Sequence, residues 1–281
     1  MSKILSKNNI TFVITTYKSE KVVFECLESI DDDSKKIIID NSGNFDLMNK
    51  IEKKYPNTRC VHMSENLGYG KAANIGIRMS DTNYVFILNP DTKLYKDSLK
   101  EYIQILSDKK FAIAAPNIKG LYQNIKFENN ITEVDEVRGF AMILNKKELE
   151  KACFDENIFL YLEEIDLCKR VRNKNKKIIL MNSEIYHAGG SSHGFEFDLE
   201  MEKSRNWHWM WSKFYFYKKH HNYFFSFFKT LPNFISSFVK FLNYKLIRNK
   251  KKSFQYKMRF LGLLNSYMLK NSYYRPYKKK D

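Results

Sequence analysis

Tyr84-Val85-Phe86-Ile87-Leu88-Asn89-Pro90-Asp91-Thr92-Lys93-Leu94 is an apolar run that stops at an Asn-Pro-Asp turn. Tyr84 to Leu88 have the length and the β-branched and aromatic content of an interior strand, and Pro90 cannot donate to a ladder, so the chain leaves the sheet there. Asp91 therefore stands just past the carboxyl end of a strand. In open α/β sheets that edge is where ligands bind, because its loops form a crevice that rigid strands position. Asn89 and Asp91 offer oxygen ligands of the kind a hard divalent cation takes, and such a cation can hold a diphosphate. An Asx turn ended by proline accounts for the same four residues without any ligand.

Outward from this stretch, strands alternate with helices. Ile10 to Thr16 reads as a first strand, followed by a helix that Ser19 caps, with Val22, Val23, Cys26, Leu27 and Ile30 as its apolar stripe. Lys36 to Asp40 and Arg59 to Met63 are further strands, Ala72 to Met79 and Leu99 to Leu106 helices, and Phe111 to Pro116 a later strand. The alternation predicts an α/β fold with a mostly parallel sheet flanked by helices and joined by right-handed crossovers. The pattern is less regular up to Val137, where loops and hairpin strands are expected. Thr15-Thr16-Tyr17, Asp40-Asn41, Glu65-Asn66-Leu67-Gly68-Tyr69-Gly70 and Asn89-Pro90-Asp91 then fall at strand ends on one side of the sheet and outline a nucleotide pocket. Asp40 can accept from a base or ribose, and the Gly68/Gly70 pair lets backbone approach a ligand before the helix starts. The pair lacks the third glycine of a dinucleotide fingerprint and follows the third strand, which argues against a dehydrogenase.

The 281 residues suffice for one large α/β domain with an appendage, or for two small domains. Their net charge of +16 is uneven. From Lys203 onward there are 19 Lys and Arg and one acidic residue, Asp281, against 29 basic and 31 acidic residues before it. A nearly neutral body thus carries a strongly basic tail, and the two are expected to meet different partners. Four scattered cysteines without a C-x-x-C fit reduced thiols used for packing. No apolar run is long enough to span a bilayer, and Met1-Ser2-Lys3-Ile4 leads into Asn8-Asn9 rather than a signal-peptide core, so a cytoplasmic location is expected.

Phe159 to Arg170 sets three carboxylates, Glu163, Glu164 and Asp166, at the head of a helix, with Asp166 and Arg170 one turn apart. Acids at a helix start complement the dipole and pair with following bases, a common surface arrangement. The apolar approach Ile158 to Leu162 gives the second reading: a carboxylate emerging from such a wall is placed to act as general base. His187 stands in Ile185-Tyr186-His187-Ala188-Gly189-Gly190-Ser191-Ser192-His193-Gly194, a Gly- and Ser-rich loop that reads as mobile or closely packed. A lone His is ordinarily a satisfied polar residue and ligates a metal only with a partner, here Asp91.

In this order, Thr15-Thr16-Tyr17, Asp40-Asn41-Ser42, the stretch Glu65 to Gly76, Asn89-Pro90-Asp91, Arg138-Gly139-Phe140-Ala141, Phe159 to Arg170 and His187 to Gly190 resemble family 2 glycosyltransferases. They are most similar to the rhamnosyltransferase and galactofuranosyltransferase branch. The resemblance runs from about residue 10 to residue 220 and ends at a segment, Ser212 to His220, similar to that branch's closing helix. It implies a GT-A (Rossmann-like) fold, a nucleotide-diphosphate sugar donor, Mg2+ or Mn2+, and inversion at the anomeric carbon. By the same resemblance Asp91 binds the metal, Asn89 replaces the first aspartate of the usual Asp-x-Asp, and His187 is a further ligand. Glu164 falls at the catalytic-base position where relatives carry aspartate, leaving Glu164 and Asp166 as alternatives beside Glu163. Thr15, Thr16, Tyr17, Asp40, Asn41, Asn66, Gly68, Gly70 and Asn74 are expected around the nucleotide sugar, and Arg138 and Gly139 around the acceptor or sugar.

The expected organisation is a catalytic domain over 1–204, its nucleotide-sugar half about 1–116 and its acceptor half about 117–204, then a helical extension over 205–281. In that extension Trp207, Trp209, Trp211 and Phe224-Phe225-Ser226-Phe227-Phe228 are interleaved with Lys213, Lys218, Lys219, Lys229 and Lys240, and Pro232 interrupts the helix. Aromatics among cations suit an anionic membrane surface, placing the protein peripherally at the inner face, where a lipid-linked glycan acceptor is met; packing on the core or in a homodimer is the alternative. Two rival functions remain. A non-enzymatic nucleic-acid binder fits the basic aromatic tail but leaves Asn89 to Asp91 and Glu163 to Asp166 without a role, so nucleic acid is not an expected partner. A sugar nucleotidyltransferase shares the α/β core but needs a Gly-rich phosphate loop after the first strand, and Thr15 to Ser19 contain no glycine.

Overall fold

Strand β1 (Ile10–Thr16) is buried along its whole length, and its side chains serve two cores. Phe12 and Ile14 enter one cluster with Val23 and Leu27 of α1 (Glu20–Glu28), while Val13 enters the other. A strand apolar on both faces needs helices on both, which is why these runs are continuous rather than alternating. The computed structural model describes residues 5–118, 122, 125–150, 153–189, 198–272 and 274. The chain divides into two compact units, Met1–Phe154 with Glu164–Gly194, and Asp155–Glu163 with Phe195–Asp281. The second unit thus starts before the basic tail and takes in a segment that composition does not mark.

In the first unit the chain continues through β2 (Lys35–Asp40), α2 (Phe45–Lys54), β3 (Thr58–His62), α3 (Tyr69–Met79), β4 (Tyr84–Leu88), β5 (Thr92–Lys93), α4 (Ser98–Leu106), β6 (Ile113–Asn117), β7 (Ile131–Glu133), β8 (Ala141–Asn145), α5 (Lys146–Leu149), α6 (Glu163–Arg172), β9 (Ile178–Glu184) and β10 (Tyr186–His187). Eight strands form one sheet in the order β3-β2-β1-β4-β8-β6-β9-β7, and β10 pairs with β5 in a separate ribbon. β3, β2, β1 and β4 are parallel, with Thr16 opposite Asp40, Asp40 opposite His62 and Ile14 opposite Leu88, so their carboxyl ends share one edge.

The sheet is mostly parallel, as expected, but β8 runs antiparallel between β4 and β6. β7 and β8 both run against β6 and β9, so residues 134–140 carry the chain back across the sheet, without a helix, before β8 begins. β8 therefore starts at the edge where the parallel strands end, and the Asn89 N–H donates to Phe140 O at 2.8 Å. Ser19 stands before α1 without capping it: its Oγ donates to Tyr17 O and accepts Tyr17 N–H. Val22 is only partly buried, unlike the rest of the expected stripe. Gly70 lies inside α3 rather than before it, and Gly68, at φ 85°, makes the turn into the helix. The Gly190 to Gly194 portion of the histidine loop lies outside the described residues.

The second unit is built on α7 (Asp198–His220), α8 (Tyr223–Leu246) and α9 (Lys250–Tyr267). Trp207 and Trp211 are buried with Met258, and a Cβ at Gly262 would overlap the Trp207 carbonyl, so α9 lies directly on α7. These two tryptophans are packing residues, which corrects their assignment to a membrane interface. Pro232 lies inside α8 and does not end it. Ring contacts of Phe234 and Phe238 with Phe260 hold the helix to α9 on the C-terminal side of the proline, and Phe227 against Tyr267 holds it before.

In the first unit α3 approaches β1 closely because Gly76 has no side chain: a Cβ there would overlap the Val13 methyls. Gly76→Val is expected to destabilise the protein by roughly 1–3 kcal/mol through overpacking. Chemical denaturation measures this, and an unchanged midpoint would mean that the helix can lift off the sheet at no cost.

Candidate active site

The loops at the shared strand edge are held by their own side chains. Asp40 is fully buried and its carboxylate accepts from Thr16 Oγ1 at 2.9 Å, from Ser42 Oγ at 2.7 Å and from the Asn44 N–H at 2.8 Å. It shapes the loop after β2, so that loop, more than its own oxygens, is what it presents to a ligand. Asn41 crosses to the next loop, donating to Gly68 O at 3.2 Å and accepting the Leu67 N–H at 3.3 Å, and Asn66 Oδ1 accepts the Gly68 N–H at 2.9 Å. Thr15 Oγ1 is buried with no hydrogen-bond partner among the described residues. Asn74 is buried too, but its amide pairs in both directions with the Phe154 backbone, at 2.9 Å each. That pairing turns Asn74 to the loop after α5 instead of the nucleotide pocket expected for it.

The end of β4 carries the second group. Asn89 is partly exposed, while its backbone is fixed by the Phe140 carbonyl and by Thr92, whose Oγ1 donates to Asn89 O at 2.7 Å. The ribbon pairs Tyr186 with Lys93 and His187 with Thr92, and the Ala188 N–H donates to Asp91 O at 3.0 Å. This brings His187 Nε2 to 3.4 Å from Asp91 Oδ1. Asp91 is only 5% exposed, and that Oδ1 has no hydrogen-bond partner among the described residues. Phe140 stacks on the His187 ring at 4.5 Å with planes 14° apart, which fixes the imidazole's orientation. A buried carboxylate oxygen without a donor is costly unless something positive meets it. Asp91 and His187 supply the oxygen and nitrogen that a divalent cation takes. Among the described residues no group of three or more His, Cys, Asp or Glu is gathered for a metal. A cation held by two side chains leaves its other positions to ligand oxygens and water, the usual arrangement at phosphate sites.

The third group stands where β8 and α6 begin. Gly139 packs on Glu164: a Cβ at Gly139 would lie 3.2 Å from Glu164 Cβ and 3.4 Å from its Cγ. Tyr69 of α3 fixes this turn, its hydroxyl donating to Gly139 O at 2.7 Å. Burial pushes the Glu164 carboxyl above the ordinary range, backbone N–H groups at the helix start and the Arg138 charge oppose the rise, and Glu136 adds to it. Arg138 itself is exposed. Asp166 is fully buried and accepts from Arg170 Nε at 2.8 Å, while Arg170 Nη2 reaches Cys153 O at 2.5 Å. Glu163 is buried. Just before α6, Tyr161 and Leu162 both have φ near +70°, a conformation costly for side chains of this size and characteristic of functional turns. In the second unit the segment leading to it is tied to α7 by Ser212 Oγ donating to Leu160 O at 2.8 Å and by the stacking of Phe159 on His208.

Sequence reasoning did not assign roles to Ser42, Tyr69, Glu136 or Phe140. Ser42, Tyr69 and Phe140 sit inside the quoted motifs, so position marked them, but their partners lie on other elements. Glu136 carries no such mark.

A model of the family described as Glycosyl transferase family 2 matches residues 11–168, more than half of the chain. The chain belongs to glycosyl transferase family 2. Its match to the low-salt glycan biosynthesis hexosyltransferase Agl10 of Haloferax volcanii is 25% identical over 198 residues, 61% of this chain and 64% of that one. The match to the rhamnosyltransferase WbbL of Escherichia coli K12 is 23% identical over 200 residues, 57% of this chain and 75% of that one. The chain thus spans less than two thirds of the hexosyltransferase's length. Among solved structures, the mannosyltransferase PcManGT of Pyrobaculum calidifontis, in complex with GDP-Man and Mn2+, superposes with a TM-score of 0.59 at 12% identity, over 93% of this chain and 87% of that one. The family fold is therefore GT-A.

The raised Glu164 pKa sets a stability prediction for this family member. The fold favours the protonated carboxyl, so its contribution is full below the unfolded pKa and is lost as pH rises through the raised folded one. Glu164→Gln is expected to melt at or above the native temperature at pH 7. The native protein should gain stability relative to the variant as pH falls through that window. Thermal denaturation across pH measures both, and a variant that melts well below native at pH 7 would show that the carboxylate form stabilises the fold.

Proposed function

We propose that this protein is an inverting glycosyltransferase that moves a sugar from a nucleotide-diphosphate donor to a glycan or lipid-linked acceptor in cell-surface glycan synthesis. The observation that carries the reading is Asp91 Oδ1, buried without a donor at 3.4 Å from His187 Nε2, at the carboxyl edge of the parallel strands, where open α/β sheets bind their ligands. Asp91 and His187 fit a divalent cation, Mg2+ or Mn2+, and the mannosyltransferase of the same fold holds Mn2+. When bound, that cation neutralises charge that builds on the leaving diphosphate. Asn89 lies at the same strand end, and the loops held by Asp40, Asn41 and Gly68 border the nucleotide.

Glu164 is the base in this reading. Desolvation raises its pKa and so its basicity, and it takes the proton from the acceptor hydroxyl as that hydroxyl attacks the anomeric carbon from the face opposite the diphosphate. The carbon–oxygen bond to the diphosphate breaks as the new glycosidic bond forms, and no covalent enzyme intermediate is needed. Asp166 has a different part: its carboxylate is spent on Arg170, which holds α6 to the Cys153 carbonyl. Rhamnose is the sugar we place first, on likeness to the rhamnosyltransferase, with galactofuranose or another hexose next. Peripheral association of the basic tail with an anionic membrane brings a lipid-linked acceptor within reach.

Two substitutions on one helix test the assignment. With the native chain first matched to a donor by release of nucleoside diphosphate from a panel of nucleotide sugars, Glu164→Gln should cut transfer by roughly 10² or more with donor binding retained. Asp166→Asn should instead cost roughly 2–4 kcal/mol of folding stability, from a buried charge pair deprived of one partner. A fully active Glu164→Gln would remove Glu164 from the role of base.

A further inference from the structure

Helix α8 is reversed in its burial. Its small polar residues Ser226, Thr230 and Ser237 are buried, while Phe224, Phe228, Ile235, Val239, Leu242 and Leu246 are exposed, Phe224 by 73% and Leu246 by 81%. These six fall within one narrow stripe at 3.6 residues per turn, along 24 residues or about 36 Å of helix. The small buried face lets α8 lie close on its neighbours; Thr230 Oγ1, for example, donates to Ser226 O at 2.7 Å and lies 3.0 Å from the Tyr267 hydroxyl. The stripe itself is left to something outside the chain, since an apolar band of this length on a water-facing helix is not a normal surface.

Charge identifies the occupant. α8 contains Lys229, Lys240 and Lys245, all exposed, and no Asp or Glu, and exposed Arg248, Lys250, Lys251 and Lys252 follow it. A second copy of this chain would bring the same cations to the contact with no carboxylate between residues 203 and 280 to pair with them. An anionic lipid surface supplies both the negative charge and the apolar phase. Among the described residues no helix is long and apolar enough to cross a membrane. We infer that α8 lies flat in the interface of an anionic bilayer, its stripe sunk among the acyl chains and its lysines among the headgroups. This deepens the peripheral-membrane part of the proposed function by naming the face that binds, and it moves that role from Trp207 and Trp211 of α7 to α8.

The test is flotation of the full chain with vesicles of phosphatidylcholine alone or with phosphatidylglycerol, at low and high salt, for three proteins: native, F228S/I235S/V239S/L246S and K229Q/K240Q/K245Q. Because the four apolar positions are exposed, the first variant should keep the native melting temperature. The native chain should float with anionic vesicles, the stripe variant should lose roughly tenfold or more in partitioning, and the lysine variant should lose mainly the component that salt removes. Equal flotation of native and stripe variant would overturn the assignment to α8 while leaving membrane association standing. Flotation of neither would overturn both. A native chain that sediments as a dimer without lipid, and a stripe variant that sediments as a monomer, would assign the stripe to a second copy instead.

Discussion

The antiparallel pairing of His187 with Thr92 is the constraint on which the site depends. Asp91 follows a strand that ends because Pro90 cannot continue the ladder, and the ribbon then closes over it, burying the carboxylate and setting an imidazole beside one of its oxygens. A desolvated carboxylate oxygen is tolerated where a positive group meets it, and poorly tolerated where none does. The same edge receives β8, which arrives antiparallel and delivers Gly139 and Phe140: Phe140 against the His187 ring, Gly139 against Glu164. One sheet edge thus organises both the proposed metal-binding pair and the proposed base in the first unit.

Two carboxylates two residues apart on α6 show how environment divides roles. Asp166 is sealed in and its carboxylate accepts from the Arg170 guanidinium. Glu164 is partly exposed, packed on a glycine, and raised in pKa by desolvation. A base must be free to accept a proton and be reachable by a hydroxyl; Asp166, buried and committed to Arg170, meets neither requirement.

Much of this was legible in the sequence because strand and turn chemistry are local. β1 and β4 are continuous apolar runs, and the turns after Asp40 and Leu88 announce themselves through Asn, Ser, Gly and Pro. The direction of β8 was not legible, since hydrophobic periodicity carries no sense of parallel or antiparallel. Nor was the fate of Asn74, whose partner is the backbone of Phe154, or the saturation of Asp40 by Thr16, Ser42 and Asn44. The tail misled for a related reason: aromatics and lysines have the same composition whether they pack or face outward. Only the fold separates Trp207 and Trp211, which pack on α9, from Phe224 and Phe228, which do not.

The central claim is that Asp91 with His187 forms the cation end of a donor site. The most direct measurement is Mn2+ binding by the full chain, read from the electron paramagnetic resonance signal of free Mn2+, with and without a nucleoside diphosphate. The account predicts that the diphosphate strengthens Mn2+ binding by the native chain and that Asp91→Asn leaves most Mn2+ free under the same conditions, with its melting temperature unchanged or raised. Mn2+ and diphosphate bound by Asp91→Asn as tightly as by the native chain would contradict it.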